Sequence, residues 1–428
     1  MARIVVIGGG LGGLASAARL AKLGHAVTLL EGSPSLGGAM RTVTSEGFTW
    51  SAGPDATLLP AVLRDLFRTT GRPIEAEVDL VQVDPIRHHR FPDGSTVSVP
   101  GGSRAAQLAA FDRLGAGLGR AWCDHVAAYA DPWELLRRDF LERPYDPAVA
   151  STQLHRLWAA RESLSDRVRR SLPDPRLRAV ATWPSLLEGH DVRRVPAWVG
   201  VDAYLGQRFG SWTVAGGFPV LASKLGERLA TRGVRVLTCT PARDLIVSEG
   251  RVAAVATEQG NLDCDLAVCA IDPHRLPELA RHVRRTRTTT QPRVCHLAVS
   301  EPLPSESGEI APGETVIHGD EWLSVRASPE SPTLSLLTRA PGDPVALLAR
   351  HGLDLRDRIL ARVDEEPVAS GGSTYGVLWR GRGTVRRRLG PTTPIPGVYA
   401  AGAHANPGAG VPYVGLSAAL VAQAIGPA

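Results

Sequence analysis

The strongest constraint on how this chain folds is its opening stretch, RIVVIGGGLGGLASAARLAKLGHAVTLLEGSPSLGG, running from Arg3 to Gly38. Ile4 to Ile7 is a continuous apolar run rich in β-branched residues, which predicts a strand buried on both faces. Gly8, Gly10 and Gly13 follow in G-x-G-x-x-G spacing, with Gly9 and Gly12 between them. From Leu14 to Leu23 apolar residues recur at threes and fours, which predicts a helix closed by Gly24. Ala26 to Leu30 reads as a second buried strand, ending at Glu31, 18 residues beyond Gly13. Together these parts make a dinucleotide-binding β-α-β fingerprint, and each has a mechanical reason. Gly8 permits the tight turn, Gly10 lets the backbone approach a pyrophosphate, and Gly13 lets the helix pack close to the sheet. The free N–H groups at the helix start face the phosphates, and Glu31 is placed to accept hydrogen bonds from ribose hydroxyls. Leu11, Gly12 and Gly32 flank these positions and join the candidate set. A second glycine-rich stretch, GAGLGR at Gly115–Arg120, has no strand before it and reads as a loop within a helical region.

At 428 residues the chain is long enough for two domains with substantial cores. No apolar run approaches the length of a membrane-crossing helix. The chain enters its first strand by Arg3, leaving no room for a signal peptide, so a cytoplasmic protein is expected. With 48 basic and 43 acidic residues the net charge is +5, and only Lys22 and Lys224 are lysines. Arginine runs such as RRTRT from Arg284 and VRRRL from Val385 raise nucleic acid or an anionic surface as partners. Acidic residues are interspersed through most of the chain and no nucleic-acid module is visible, so the runs are read as compositional and no nucleic acid is expected. The five cysteines, Cys123, Cys239, Cys264, Cys269 and Cys295, show no C-x-x-C spacing. They fit reduced, mostly buried thiols, and no metal site is expected.

The chain continues GSPSLGGAMRTVTSEGFTWSAGPD, with a second glycine pair, Gly37-Gly38, then AMRT and AGP. Near its end stands PGVYAAGAHANPGAGVPYVGLSAAL, and in the middle DPRLRAVATWPSLLEG leads to GSWTVAGGF. These stretches resemble the phytoene desaturase-like flavoproteins of the amine oxidase and protoporphyrinogen oxidase superfamily, and the likeness extends over most of the chain. It implies a non-covalently bound FAD. By that resemblance Gly38, Ala39, Met40 and Arg41 lie along the cofactor beyond its first phosphate, Arg41 near the phosphates or ribityl chain. Gly53 and Pro54 reach the flavin, Ala242 contacts the adenine by its backbone, and Ala270, Gly402 and Ala403 line the cofactor cleft. Gly410, Val411 and Pro412, opening the last helix, face the flavin edge where negative charge grows on reduction. The chain departs from the family pattern at Ala39, where an arginine is usual, at Thr213–Ala215 and at Asn406, where a histidine is usual.

The order of segments matches that superfamily, and the resemblance implies an α/β protein with a discontinuous Rossmann-like FAD-binding domain, of glutathione reductase-like type, and an inserted α+β substrate domain. The FAD-binding part is expected in residues 1–75, 212–290 and 381–428, and the substrate domain in 76–211 and 291–380. Within the second FAD segment, Val220–Arg232 reads as a helix, and Val234–Cys239, Asp244–Val247, Arg251–Glu258 and Leu266–Ala270 as strands. Val398–Ala401 reads as a strand and Tyr413 onward as a helix. Trp122, Trp133, Trp158, Trp183 and Trp198 in the insert suit an apolar pocket, although such residues commonly pack a core. The tract from Glu301 to Glu314 reads as a mobile surface loop.

Three functions follow as expectations. The first is an FAD-dependent oxidoreductase that desaturates a hydrophobic small molecule by hydride transfer to flavin N5. The second is an oxidase acting at a C–N bond. The third is a lipid-binding member of the superfamily without catalysis, against which the intact glycines and Glu31 argue. Asp55 and His404 are the candidate catalytic bases. A peripheral membrane contact for a lipid substrate stays open, as do the oligomeric state and the electron acceptor.

Overall fold

The opening run does form a strand, Arg3–Ile7, at the centre of a five-stranded parallel sheet in this computed structural model. Residues 1–54, 56–300, 311–328, 331–365 and 371–428 are described. The expectations for Asp55 and for residues 301–310 of the Glu301 tract fall outside them.

Across the sheet the order is Val398–Ala400, Leu266–Cys269, Arg3–Ile7, Ala26–Leu30 and Arg235–Leu237. All neighbours pair in parallel, so strands from both ends of the chain and from its middle lie side by side. Alternate side chains of the central strand serve different layers, as the period of two requires. Ile4 and Val6 pack against helices Leu11–Lys22, Phe218–Thr231 and Val411–Ile425. Val5 and Ile7 pack on the other face against Leu245, Val252 and Val255 of a three-stranded antiparallel sheet. Strands covered on both faces read as unbroken apolar runs, which is why these segments lack polar alternation.

A second, seven-stranded sheet runs Ile359–Glu365, Arg293–Val299, Thr333–Thr338, Leu323–Ala327, Gly313–Ile317, Arg87–Arg90 and Thr96–Val99. It is antiparallel except where Gly313–Ile317 pairs with Arg87–Arg90. Helices between Arg104 and Phe209 pack around a separate core that includes Trp122, Trp133, Trp158 and Tyr129. The fold is mixed α/β. The strand Ser211–Val214 runs across the expected division at 211/212 and pairs with Leu80–Val83.

Local differences from the sequence reading have simple causes. The stretch read as a loop at Gly115–Arg120 is helical from Leu118, because Gly117 (φ 80°) turns the chain and starts a new helix. The closing helix begins at Val411, since proline at a first-turn position costs no hydrogen bond. The strand expected at Val234–Cys239 is limited to Arg235–Leu237, and Cys239 sits at φ 51°. A third antiparallel strand, Gly260–Asp263, escaped notice because GNLD carries a single apolar residue.

Helices Phe218–Thr231 and Pro60–Thr70 are tied by Arg228, which is 6% exposed. Its guanidinium donates to the Phe67 carbonyl and the Thr70 hydroxyl, both at 3.0 Å, and pairs with Glu77. Removing one partner of a buried ion pair leaves the other charge uncompensated. Arg228→Leu is expected to lower unfolding stability by about 3 kcal/mol, read as a shift in denaturant midpoint against wild type.

Candidate cofactor cleft and substrate cavity

The glycine turn between the first strand and first helix is built so that side chains are excluded. Gly8 stands at φ 103°, a left-handed conformation that favours glycine. A Cβ on Gly13 would lie 1.8 Å from the Gly8 carbonyl oxygen, so the helix can approach the strand only as it does. A Cβ on Gly10, in contrast, would find only the Gly38 Cα, at 4.0 Å. The helix that starts at Leu11 has no side-chain cap and no acidic residue in its first turn, leaving its N–H groups free for an anion.

Glu31 is 8% exposed at the end of the second strand. Its Oε2 accepts from the Gly9 amide at 2.7 Å, and its Oε1 from the Ser33 amide and hydroxyl at 2.7 and 2.8 Å. Three of about four carboxylate lone-pair sites are thereby used, and one on Oε2 remains for a ribose hydroxyl. The Thr240 amide donates to the Glu31 carbonyl at 2.8 Å, and Pro241 lies against Gly32. This contact sets the start of strand Ala242–Ser248 beside the Glu31 end of the turn.

The two ends of the chain meet here. A Cβ on Gly12 would lie 2.8 Å from the Gly402 Cα, and Ala270 sits behind Gly8 and Gly402. Gly38 abuts Gly10, and Gly53 packs on the Ala39 carbonyl. The closing helix opens at Gly410 with no side-chain cap and no acid in its first turn. Ala403 lies against Gly376, and the Met40 side chain is buried in the core beside the opening helix. The Arg41 guanidinium pairs with Glu365 on the edge strand of the large sheet. Pro54 adjoins Gly53, whose carbonyl accepts from Arg326 at 2.9 Å. The open face at Gly10, two uncapped helix starts and the spare Glu31 lone pair suit a pyrophosphate-linked dinucleotide.

Beyond the closing helix start lies a cavity of about 610 Å³, mouth included. Leu136, Phe140, Leu141, Val199 and Val201 make its apolar wall. Glu188, His190, Asp202, Tyr375, Arg388 and Tyr413 add polar groups to the lining, and Trp198 and Trp379 add indole rings. Tyr413 belongs to the first turn of the closing helix, and its hydroxyl donates to Asp202 Oδ1 at 2.6 Å. Burial pushes the Asp202 carboxyl up to about 6, partly countered by that hydrogen bond, and burial also drives the Tyr413 phenol well upward. The Trp379 amide donates to His190 Nδ1 at 3.4 Å, so Nε2 carries the hydrogen that faces Glu188 at 3.2 Å. The Arg388 guanidinium stacks on Trp379 at 4.4 Å and donates to the Pro407 and Val377 carbonyls, each at 3.1 Å. Burial lowers its pKa to about 10.

His404, expected as a base, is buried outside this cavity, with Nε2 3.6 Å from Asp272 Oδ2. Burial lowers it to about 4, which keeps the ring neutral at pH 7. Asn406, standing where the family has histidine, donates from its side-chain amide to the Val385 and Arg388 carbonyls at 3.2 and 3.3 Å. It thus pins the loop that carries Pro407 and Gly408. Of the five tryptophans between residues 76 and 211, Trp198 reaches the cavity and Trp122, Trp133, Trp158 and Trp183 pack cores. Trp379 joins Trp198 edge-on, 5.4 Å between centroids. Glu188, His190, Asp202, Arg388 and Tyr413 were not singled out from sequence. The one signal was the third arginine of VRRRL, which is buried while Arg386 and Arg387 are exposed.

A glycine turn of this kind, with the closing helix returned to it, defines a protein built to hold a dinucleotide cofactor. The chain belongs to the flavin-containing amine oxidoreductase family, which it matches over residues 11–426, and it is an FAD-dependent oxidoreductase. It is 33% identical over 288 residues to a zeta-carotene-forming phytoene desaturase of Myxococcus xanthus. That match covers 63% of this chain and 53% of the relative, so it spans about half the relative's length. It is 28% identical to a hydroxyneurosporene desaturase of Cereibacter sphaeroides, covering 99% of this chain and 97% of that one. A putrescine oxidase bound to putrescine shares the fold, with a TM-score of 0.66 at 15% identity over 99% of this chain and 98% of the other.

Proposed function

We propose that this oxidoreductase desaturates a carotenoid-like isoprenoid. The observation that carries the reading is the match to a hydroxyneurosporene desaturase over 99% of this chain. The aromatic and aliphatic cavity beside the closing helix supports it. In this reading residues 1–75, 212–290 and 381–428 hold FAD, and 76–211 and 291–380 shape the substrate site. FAD, when bound there, would supply the two-electron acceptor that hydride removal from the substrate needs.

The chain's own residues hold and orient. Gly10 and the first helix start receive the pyrophosphate, and Glu31 receives the ribose. The uncapped helix start at Gly410 and Val411 offers a positive dipole end to the reduced cofactor. Leu136, Phe140 and Leu141 exclude water from the substrate chain. Asp202, close to neutrality in its titration, is the cavity group best suited to hold a proton. Asp55 and His404 remain the other candidates, and His404 would act from outside the cavity, through Asp272.

Among the described residues no helix is long and apolar enough to cross a membrane. We place the protein in the cytoplasm, drawing its substrate from a membrane surface by peripheral contact.

The test is anaerobic mixing of the holoenzyme with phytoene or neurosporene in detergent, and separately with putrescine. Bleaching of the oxidised-flavin band by a polyene is the expected result. Bleaching by the amine alone would move the reading to C–N oxidation.

A further inference from the structure

Two voids follow one another through the helical part of the chain, and one residue belongs to both. The smaller, about 300 Å³ with its open side included, is lined by Tyr129, Pro132, Leu157, Ala160 and Ala197 together with Trp198. Trp198 also lines the 610 Å³ cavity. Two separate elements run from one void to the other. Along helix Ala130–Leu136 and the wider turn Arg137–Leu141 that continues it, Pro132 lines the smaller void, and Leu136 and Phe140 line the larger. Residues four apart share a helix face and stand about 6 Å apart along the axis, so one face passes between the voids. The short turn Ala197–Gly200 has the same order: Ala197 lines the smaller void, Val199 the larger, and Trp198 both. Voids ordered alike along two elements form one passage, interrupted at the residue they share. The Trp198 indole stands edge-on to Trp379, which lines the larger cavity, with 5.4 Å between centroids.

We infer that Trp198 is a specificity-determining partition that sets how far a hydrocarbon chain enters, with the smaller void held in reserve behind it. This rests on reading the larger cavity as the substrate site and names what limits the length of substrate held there. Capacity gives the scale. At about 30 Å³ per water-sized group, 610 Å³ holds about twenty non-hydrogen atoms and 300 Å³ about ten more. With the indole in place, a chain longer than about four prenyl units leaves its remainder in water, where added length gains little affinity. With the indole removed, about two further units gain cover. The smaller void suits such an end. Its charged groups, Glu162 and Arg167, answer each other at 2.7 Å, so a hydrocarbon beside them leaves neither charge unpaired. The guanidinium also lies over the Tyr129 ring, 5.8 Å from its centroid.

The test is equilibrium dialysis of the holoenzyme against farnesene, springene and squalene, hydrocarbons of three, four and six prenyl units, each carried in detergent. Wild type is expected to bind springene about tenfold more tightly than farnesene, and squalene within about threefold of springene. In Trp198→Ala the rise is expected to continue, squalene binding about tenfold more tightly than springene. Leu157→Trp, which fills the smaller void, is expected to leave all three affinities of wild type unchanged and to cancel the gain in the double variant. Trp198→Leu, which removes the indole and keeps apolar bulk, carries the test if Trp198→Ala does not fold, with a gain of at least about threefold for squalene over springene. An unchanged length preference in the Trp198 variants overturns the inference. So does weaker binding in Leu157→Trp alone, which would mean that the chain already passes Trp198, or no binding of any probe by wild type. The flavin-bleaching test fails or succeeds separately. Bleaching by polyenes with no length shift in the variants sinks the partition alone, whereas a length shift without bleaching sinks the desaturase reading alone.

Discussion

Gly10→Ala is expected to give a protein that folds as wild type yet takes up FAD at least about tenfold more weakly. Gly10 has φ −75° and ψ −178°, extended backbone that alanine adopts freely. The added methyl meets nothing nearer than the Gly38 Cα at 4.0 Å, so the apoprotein has room for it. That room is where a pyrophosphate must approach the backbone. Stability of the apoprotein should therefore change by less than about 0.5 kcal/mol, while flavin retained through purification falls. Gly13→Ala makes the contrast. Its methyl would stand 1.8 Å from the Gly8 carbonyl oxygen, and both contacts are backbone with nothing flexible to yield. The first helix must lift from the sheet, and with it the Gly12–Gly402 contact that joins the closing segment. A loss of about 3 kcal/mol in apoprotein stability is expected beside the loss of flavin. Flavin absorbance per chain and denaturant midpoints on stripped protein separate the two. Normal flavin content in Gly10→Ala would contradict the placement of the phosphates.

These two glycines also show what a sequence can disclose. Part of the turn from Ile7 to Leu14 is local: Gly13 faces the Gly8 carbonyl five residues back, and the spacing records it. The parallel partners of the first strand were legible for a related reason, since strands buried on both faces are unbroken apolar runs. Boundaries were less so. Leu118 to Arg120 joined a helix because Gly117 supplied a left-handed start, which composition alone does not reveal. Of the cavity, Trp198 alone was among the residues named as suited to a pocket. Glu188 and Asp202 lie about the helical insert, while Arg388 and Tyr413 stand near the other end of the chain, and no spacing relates them. Arg388 shows the difficulty best. Its neighbours Arg386 and Arg387 are exposed, and only tertiary packing turns the third arginine onto Trp379. Arg41 is the converse case: the motif suggested the FAD phosphates or the ribityl chain, and the folded chain pairs its guanidinium with Glu365.

Asp202→Asn is expected to change how stability depends on pH, and the sign follows from the direction of the shift. The folded-state pKa is raised to about 6 from an ordinary 3.8, first by burial and further by Glu188, against the pull of the Tyr413 hydrogen bond. Between those values the folded protein binds the proton and the unfolded chain releases it. Stability from this group is therefore full below about pH 4 and is lost as pH rises through 6. The ionised carboxylate above that range costs about 2 kcal/mol, after allowing for the favourable helix start on which Asp202 sits. Asparagine keeps an oxygen for the Tyr413 hydroxyl and never ionises. Relative to wild type the variant should gain about 2 kcal/mol between pH 4 and pH 7.5, measured by denaturant midpoints across that range. Parallel curves for the two proteins would mean that Asp202 titrates as an ordinary surface acid. A divergence confined to that window would locate the ionisation in the cavity wall, where it alters what a ligand meets. Below the transition Asp202 offers a proton, and above it an acceptor. The hydroxyl of Tyr413 stays with Asp202 throughout, because burial holds the phenol far above its ordinary range. The pH at which ligand binding changes should then coincide with the pH at which the two stability curves part.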